Sequence, residues 1–77
     1  MSYTINTKEL KKLMIENGFD TILSLAEETG VNRTTLGKIL SGEQKPSSDA
    51  MYRIAAALKI SGEQAGKIFF AGDFPTA

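Results

Sequence analysis

The chain has no cysteine, no histidine and no tryptophan, and only two prolines among its 77 residues. Without cysteine there is no disulfide framework and no thiol redox chemistry, and without cysteine or histidine the usual zinc ligand sets are missing too. The same absences remove Cys–His and Ser–His nucleophilic machinery. A few carboxylates and lysines remain, on a scaffold too small to enclose much substrate, so the chain reads as a non-enzyme needing neither cofactor nor metal. Apolar runs are too short to span a bilayer, and no membrane partner is expected. The start, Met1-Ser2-Tyr3-Thr4, lacks the basic stretch and apolar core of a signal peptide, which makes the cytoplasm the expected location. An excess of charge is missing as well. Nine Lys and Arg face nine Asp and Glu, and such a balance does not advertise nucleic acid as a partner.

What is present suits one small globular domain over 1–77: 42% of the residues are apolar, and the length is close to where a single core becomes marginal. No period-2 alternation persists, whereas helical spacing recurs five times. The first helix is expected from Thr7 to Asn17, opened by Asn6 with Glu9 at capping-box spacing and stopped by Gly18. Leu10, Leu13 and Met14 form its inward stripe, leaving Lys8, Lys11 and Lys12 outside it. Asp20 is the expected cap of a second helix that ends at Gly30. Asn32 caps a third from Arg33 to Ser41, with Leu36, Ile39 and Leu40 inward. Ser47 or Ser48 opens a fourth, on which Met51, Ile54, Ala55 and Leu58 recur at helical spacing. Ser61 with Gln64 opens a fifth, carrying Ala65, Ile68 and Phe69. The tail, 71–77, holds Gly72 and Pro75 and is expected to fray. The fold class is therefore all-α, a compact five-helix domain.

Between the second and third helices lies only Thr29-Gly30-Val31-Asn32, a turn so short that the two helices must cross sharply. Such a crossing needs a small residue where the axes approach, a glycine at the bend and an apolar plug behind it. Ala26, Gly30 and Val31 meet those needs in order, and Leu36 supplies the packing residue on the second arm. This is the logic of a helix-turn-helix unit (here about 20–42), whose second helix can lie in a major groove about 12 Å wide.

The run from Leu25 through Leu36 resembles the helix-turn-helix core of the lambdoid repressor and Cro family, the XRE-type domain. The likeness continues without a gap through Ile39, Gly42, Pro46, Ile54-Ala55, Ala57-Leu58 and Ile60-Ser61. It implies a lambda-repressor-like fold and a Cro-like transcriptional regulator that controls a genetic switch by binding operator DNA, as a possible homodimer, in the cytoplasm of a bacterial host. Carried over position by position, Arg33, Thr34 and Lys38 fall where this family places base-reading side chains, while Asn32 and Ser41 match positions that touch phosphate. Arg33 suits guanine O6 and N7, a pairing that discriminates by about 1–3 kcal/mol. Thr34 and Thr35 can offer hydroxyls to phosphate or a methyl to thymine, and Lys45 would be a backbone contact without sequence information. Each also has a plainer role: Asn32 is a helix cap in any case, the threonines fill a first helical turn, and Arg33 and Lys38 are surface charges.

The pattern departs from its relatives in ways that point to a second partner. From Asp20 to Lys45 three cations (Arg33, Lys38, Lys45) face four anions (Asp20, Glu27, Glu28, Glu43), so the recognition unit is formally −1 where phosphate binding favours cations. Ile22 stands where the family commonly has a polar, phosphate-bonding residue. Ile22, Leu23 and Leu25 cannot all share one narrow inward stripe, so either Ile22 packs inward against the first helix and Leu23 is a lone exposed leucine, or an apolar patch edges the DNA-facing side. Gly37, in the middle of the recognition helix, costs about 1 kcal/mol relative to alanine but lets another backbone come close. Ile22, Leu23, Glu27 and Gly37 together are the candidate contacts to a partner repressor protein. In size and type the chain is similar to temperate-phage antirepressors of the modulator-of-repression kind, which gives an alternative function: docking on a repressor's DNA-binding domain. A toxin–antitoxin role fits less well, since only a short tail follows the fifth helix; Phe70 or Phe74 there would either cover a dimer seam or fold back on the core.

Overall fold

Short polar side chains take up the free amides at the start of each helix, and they set where the chain becomes regular. In the computed structural model, which describes residues 5–70, these helices are α1 (Thr7–Glu16), α2 (Ile22–Thr29), α3 (Arg33–Leu40), α4 (Ser48–Leu58) and α5 (Gly62–Phe69). Asn6 accepts from the Glu9 amide at 3.1 Å, and Asn32 accepts from the Thr34 and Thr35 amides at 2.8 and 3.3 Å. Ser47 caps α4 through the Ala50 amide, and Ser61 exchanges bonds with Gln64 at the head of α5. The cap of α2 is a correction to the sequence-based expectation, for Thr21 rather than Asp20 fills it. Its hydroxyl accepts from the Ser24 amide at 3.1 Å, while the Ser24 hydroxyl accepts from the Thr21 amide at 3.4 Å. The expected fraying tail and Phe74 lie outside the described residues.

α1 packs on α3 and α5, α2 on α3 and α4, and α4 on α5, enclosing one core. Leu10, Leu25, Leu36, Ile39 and Ile54 are fully buried, with Leu58, Ile68 and Phe69 nearly so. Burying a side chain of this size contributes about 1.5–3 kcal/mol, so the helices are held by this shared interior more than by their own short lengths. Leu13, Met51, Ala65 and Phe70 are half-buried against it. The path is also stitched by hydrogen bonds to the backbone carbonyls of distant segments. Asn17 donates through Nδ2 to the carbonyls of Leu13 and Leu58 at 2.8 and 3.1 Å, tying the end of α1 to the end of α4. The Asn6 amide donates to the Ile68 carbonyl at 2.8 Å, tying the entry of α1 to α5.

The bend between α2 and α3 is built from Thr29 and Gly30. Gly30 takes a left-handed φ of 79° and its amide closes on the Ala26 carbonyl at 2.8 Å. Thr29 is 5% exposed; its hydroxyl donates to the Leu25 carbonyl at 2.9 Å and accepts from the Val31 amide at 3.1 Å. One side chain therefore satisfies a donor that the turn would otherwise strand. Thr29→Val keeps the shape but leaves the part-buried Val31 amide unpaired, and it is expected to lower stability by about 1–3 kcal/mol in urea unfolding.

Candidate nucleic-acid interface

The phase of α3 follows from its buried residues. With Leu36, Ile39 and Leu40 facing α1 and α2, Arg33, Thr34, Lys38 and Ser41 are left exposed, and Thr34, Lys38 and Ser41 succeed one another along one ridge. Arg33 and Gly37 lean to the flank shared with α2. Thr35, half-buried, leans to the opposite flank, where it lines a cleft with Gln44, Lys45 and Pro46. Among the described residues neither Arg33 nor Lys38 is ion-paired, whereas Arg53 and Lys67 each hold a carboxylate one helical turn away. The outer face of α3 thus presents two cationic side chains and a threonine hydroxyl on a short rigid rod.

Two of the expected phosphate contacts are already engaged within the domain. The Oδ1 atom of Asn32 is taken by the amides it caps, so only its amide nitrogen faces outward for another acceptor. The Ser41 hydroxyl lies 3.0 Å from the Lys38 carbonyl and 2.8 Å from a Glu43 carboxylate oxygen, between two acceptors. Glu43 is thereby held at the end of α3, its own amide closing on the Lys38 carbonyl at 2.9 Å.

The residues assigned to a protein partner fall in two pairs. Ile22 and Gly37 meet across the α2–α3 contact: a methyl built on Gly37 would lie 3.9 Å from the Ile22 Cδ1. Leu23 and Glu27 sit one turn apart on the exposed side of α2. Ile22 is 37% exposed and Leu23 48%, so Ile22 is not simply packed inward against α1. Instead it lines a shallow depression of about 240 Å³ with Lys11, Met14, Ile15, Asp20 and Leu40. Ile15, 62% exposed, extends the apolar edge onto α1.

Sequence reasoning also missed Arg53. From α4 it donates through Nη1 to the Thr29 carbonyl at 3.2 Å while its Nε holds Asp49 at 2.7 Å, so the last carbonyl of α2 is capped by a charged group from another helix. The same Nη1 would lie 3.0 Å from a methyl on Gly30, a second reason for glycine there beyond its φ. Among the described residues no cluster of carboxylates could hold a metal ion, and no helix is long and apolar enough to cross a membrane.

A family model described as helix-turn-helix matches residues 10–64, from within α1 to the first turn of α5. Neither the curated proteins nor the solved structures give a match to the chain. At Gly37 the space for a methyl is ordinary van der Waals contact, and the backbone is helical. Gly37→Ala is accordingly expected to raise stability by about 1 kcal/mol, seen as a thermal midpoint higher by about 4–8 °C.

Proposed function

The chain belongs to the Cro- and repressor-like helix-turn-helix family, whose members are DNA-binding transcription regulators rather than enzymes, and from that premise we propose that it is a phage-type regulator of a genetic switch that reads operator DNA with α3. The observation that carries this reading is the outer face of α3, where Arg33, Thr34 and Lys38 stand exposed on one side of a helix whose other side is locked into the core. Arg33 and Lys38 reach base edges in the major groove, Arg33 with the fork geometry that suits guanine. Thr35 and Lys45 meet the backbone along one groove wall, and the Asn32 side-chain amide nitrogen and the Thr34 hydroxyl approach phosphate at the start of α3. In a dimer, two such helices would address half-sites about 34 Å apart. Arg33→Ala is expected to weaken a selected operator by about 1–3 kcal/mol while leaving a random duplex nearly unchanged in a titration at fixed salt; equal losses on both duplexes would count against base reading by Arg33.

A second reading is favoured by one specific observation: of the four exposed large hydrophobic side chains among the described residues, Ile15, Ile22 and Leu23 fall at the end of α1 and the start of α2. In this reading the chain is an antirepressor or corepressor. Ile22 and Leu23 enter a partner repressor's DNA-binding domain, Glu27 faces its basic surface, and Gly37 allows close approach. Leu23→Asp, at an exposed site, is then expected to abolish binding to the repressor encoded beside it while circular dichroism shows unchanged helicity. Undiminished affinity in that variant would remove the patch from the interface.

A further inference from the structure

We infer that Lys11 of α1 is a DNA-backbone contact, serving the groove wall on the α2 side, where Arg33 is committed to base edges and the helix-turn-helix unit supplies no other cation; this rests on the DNA-binding reading above. A helix lying in a major groove has a phosphate chain along each flank. On the Thr35 flank of α3 that chain meets Lys45, which shares a cleft with Thr35. On the opposite flank, which carries Gly37, the nearest side chain of α2 is Ile22, and an isoleucine offers phosphate nothing.

The structure brings α1 to that flank at two separate points. Near the end of α3, a methyl on Gly42 would lie 3.9 Å from the Thr7 Cγ2, which seats the first turn of α1 beside the exit of α3. One turn further along α1, Lys11 lines the same depression as Ile22 and Leu40. Thr7, Lys11 and Met14 therefore form the ridge of α1 that runs along α3, and Lys11 is the one cation on it. The floor of the depression, Met14, Ile22 and Leu40, is apolar, and a lysine on such a floor lays its methylene stem along it and keeps its ammonium at the rim. Asp20 lies on the same rim, yet forms no ion pair with Lys11 among the described residues. Lys8 and Lys12 flank Lys11 on the exposed side of α1, so the positive potential extends beyond one side chain. With α1 included, the interface gains the positive charge that the span from Asp20 to Lys45 lacks.

The test is a salt titration of binding to two duplexes of about 20 base pairs, one a selected operator and one of random sequence, between about 50 and 200 mM monovalent salt. Lys11→Gln is expected to weaken both duplexes alike and to reduce the slope of log affinity against log salt by about 0.9, the loss of one neutralised phosphate. Lys11→Arg is expected to retain the wild-type slope. Lys67→Gln, on α5 and ion-paired to Glu63, serves as the control with no change of slope. A slope for Lys11→Gln no different from that of the control overturns the inference while leaving the Arg33 reading standing. A wild-type chain that binds neither duplex at the lowest salt overturns both. A cation that merely stabilises the end of α3 would shift the thermal midpoint in Lys11→Gln and leave the slope alone, and that outcome also overturns the inference.

Discussion

The direction in which α3 leaves α2 depends on a single buried hydroxyl and the carbonyl next to it. Thr29 bridges backward to the Leu25 carbonyl and forward to the Val31 amide, while Arg53 holds the Thr29 carbonyl from outside. Between them, the last turn of α2 and the first residue after the bend become one hydrogen-bonded unit, and Gly30 supplies the left-handed step that such a unit requires. Everything functional hangs on that angle. Leu36, Ile39 and Leu40 reach the core only if α3 crosses α2 where Ala26 leaves room, and the outward side chains of α3 point together only because those three point inward. The turn is also a place where two needs coincide: the Arg53 guanidinium lies where a side chain on residue 30 would have to go, so position 30 is constrained by packing as well as by backbone geometry.

The electrostatics of the domain are divided by element rather than by region. Arg53 and Lys67 are engaged with carboxylates one turn away on their own helices, exposed pairs that contribute little to stability. Arg33 and Lys38 have no such neighbour among the described residues, and Glu43 is held by Ser41 at the exit of α3 rather than beside either of them. A unit that is formally negative along the chain can therefore present a locally positive face. Sequence arithmetic from Asp20 to Lys45 counts Glu27 and Glu28 against that face, although both lie on α2 and Glu28 borders Arg53 on a different side of the domain.

The helices and most of their caps were legible in the sequence because caps are local. Asn6 with Glu9, Asn32 ahead of Thr34 and Thr35, and Ser61 with Gln64 all declare themselves within three residues. The cap of α2 was misread for an equally local reason. Asp20 and Thr21 are both good caps, and the deciding residue is Ser24, whose hydroxyl returns the bond to Thr21. What the sequence could not show were bonds with no spacing rule. Arg53 reaches Thr29 across 24 positions and Asn17 reaches Leu58 across 41, so neither leaves a periodic trace. On the candidate interface, the exposed row on α3 was legible once the inward residues set its phase. The use of Ser41 by Glu43, the meeting of Ile22 with Gly37, and the exposure of Ile15 needed the helices placed against one another.

The Ile22–Gly37 contact bears on both proposed readings from opposite sides. Gly37 leaves a gap on α3 that the Ile22 side chain approaches without filling, since a methyl there would still be at ordinary contact distance. If DNA is the target, α2 offers this flank no directional bond through Ile22, and affinity must come from few cations, Lys11 among them, around a short reading helix. Non-specific binding is then weak and salt has less to screen, so discrimination rests on what Arg33 and Lys38 do at base edges. If a repressor is the target, the same flank is a shallow apolar seat lined by Ile15 and Ile22, and its weakness for phosphate becomes selectivity against DNA. The two readings thus differ less in which residues they use than in whether Lys11, on the rim of that depression, faces a phosphate or a carboxylate.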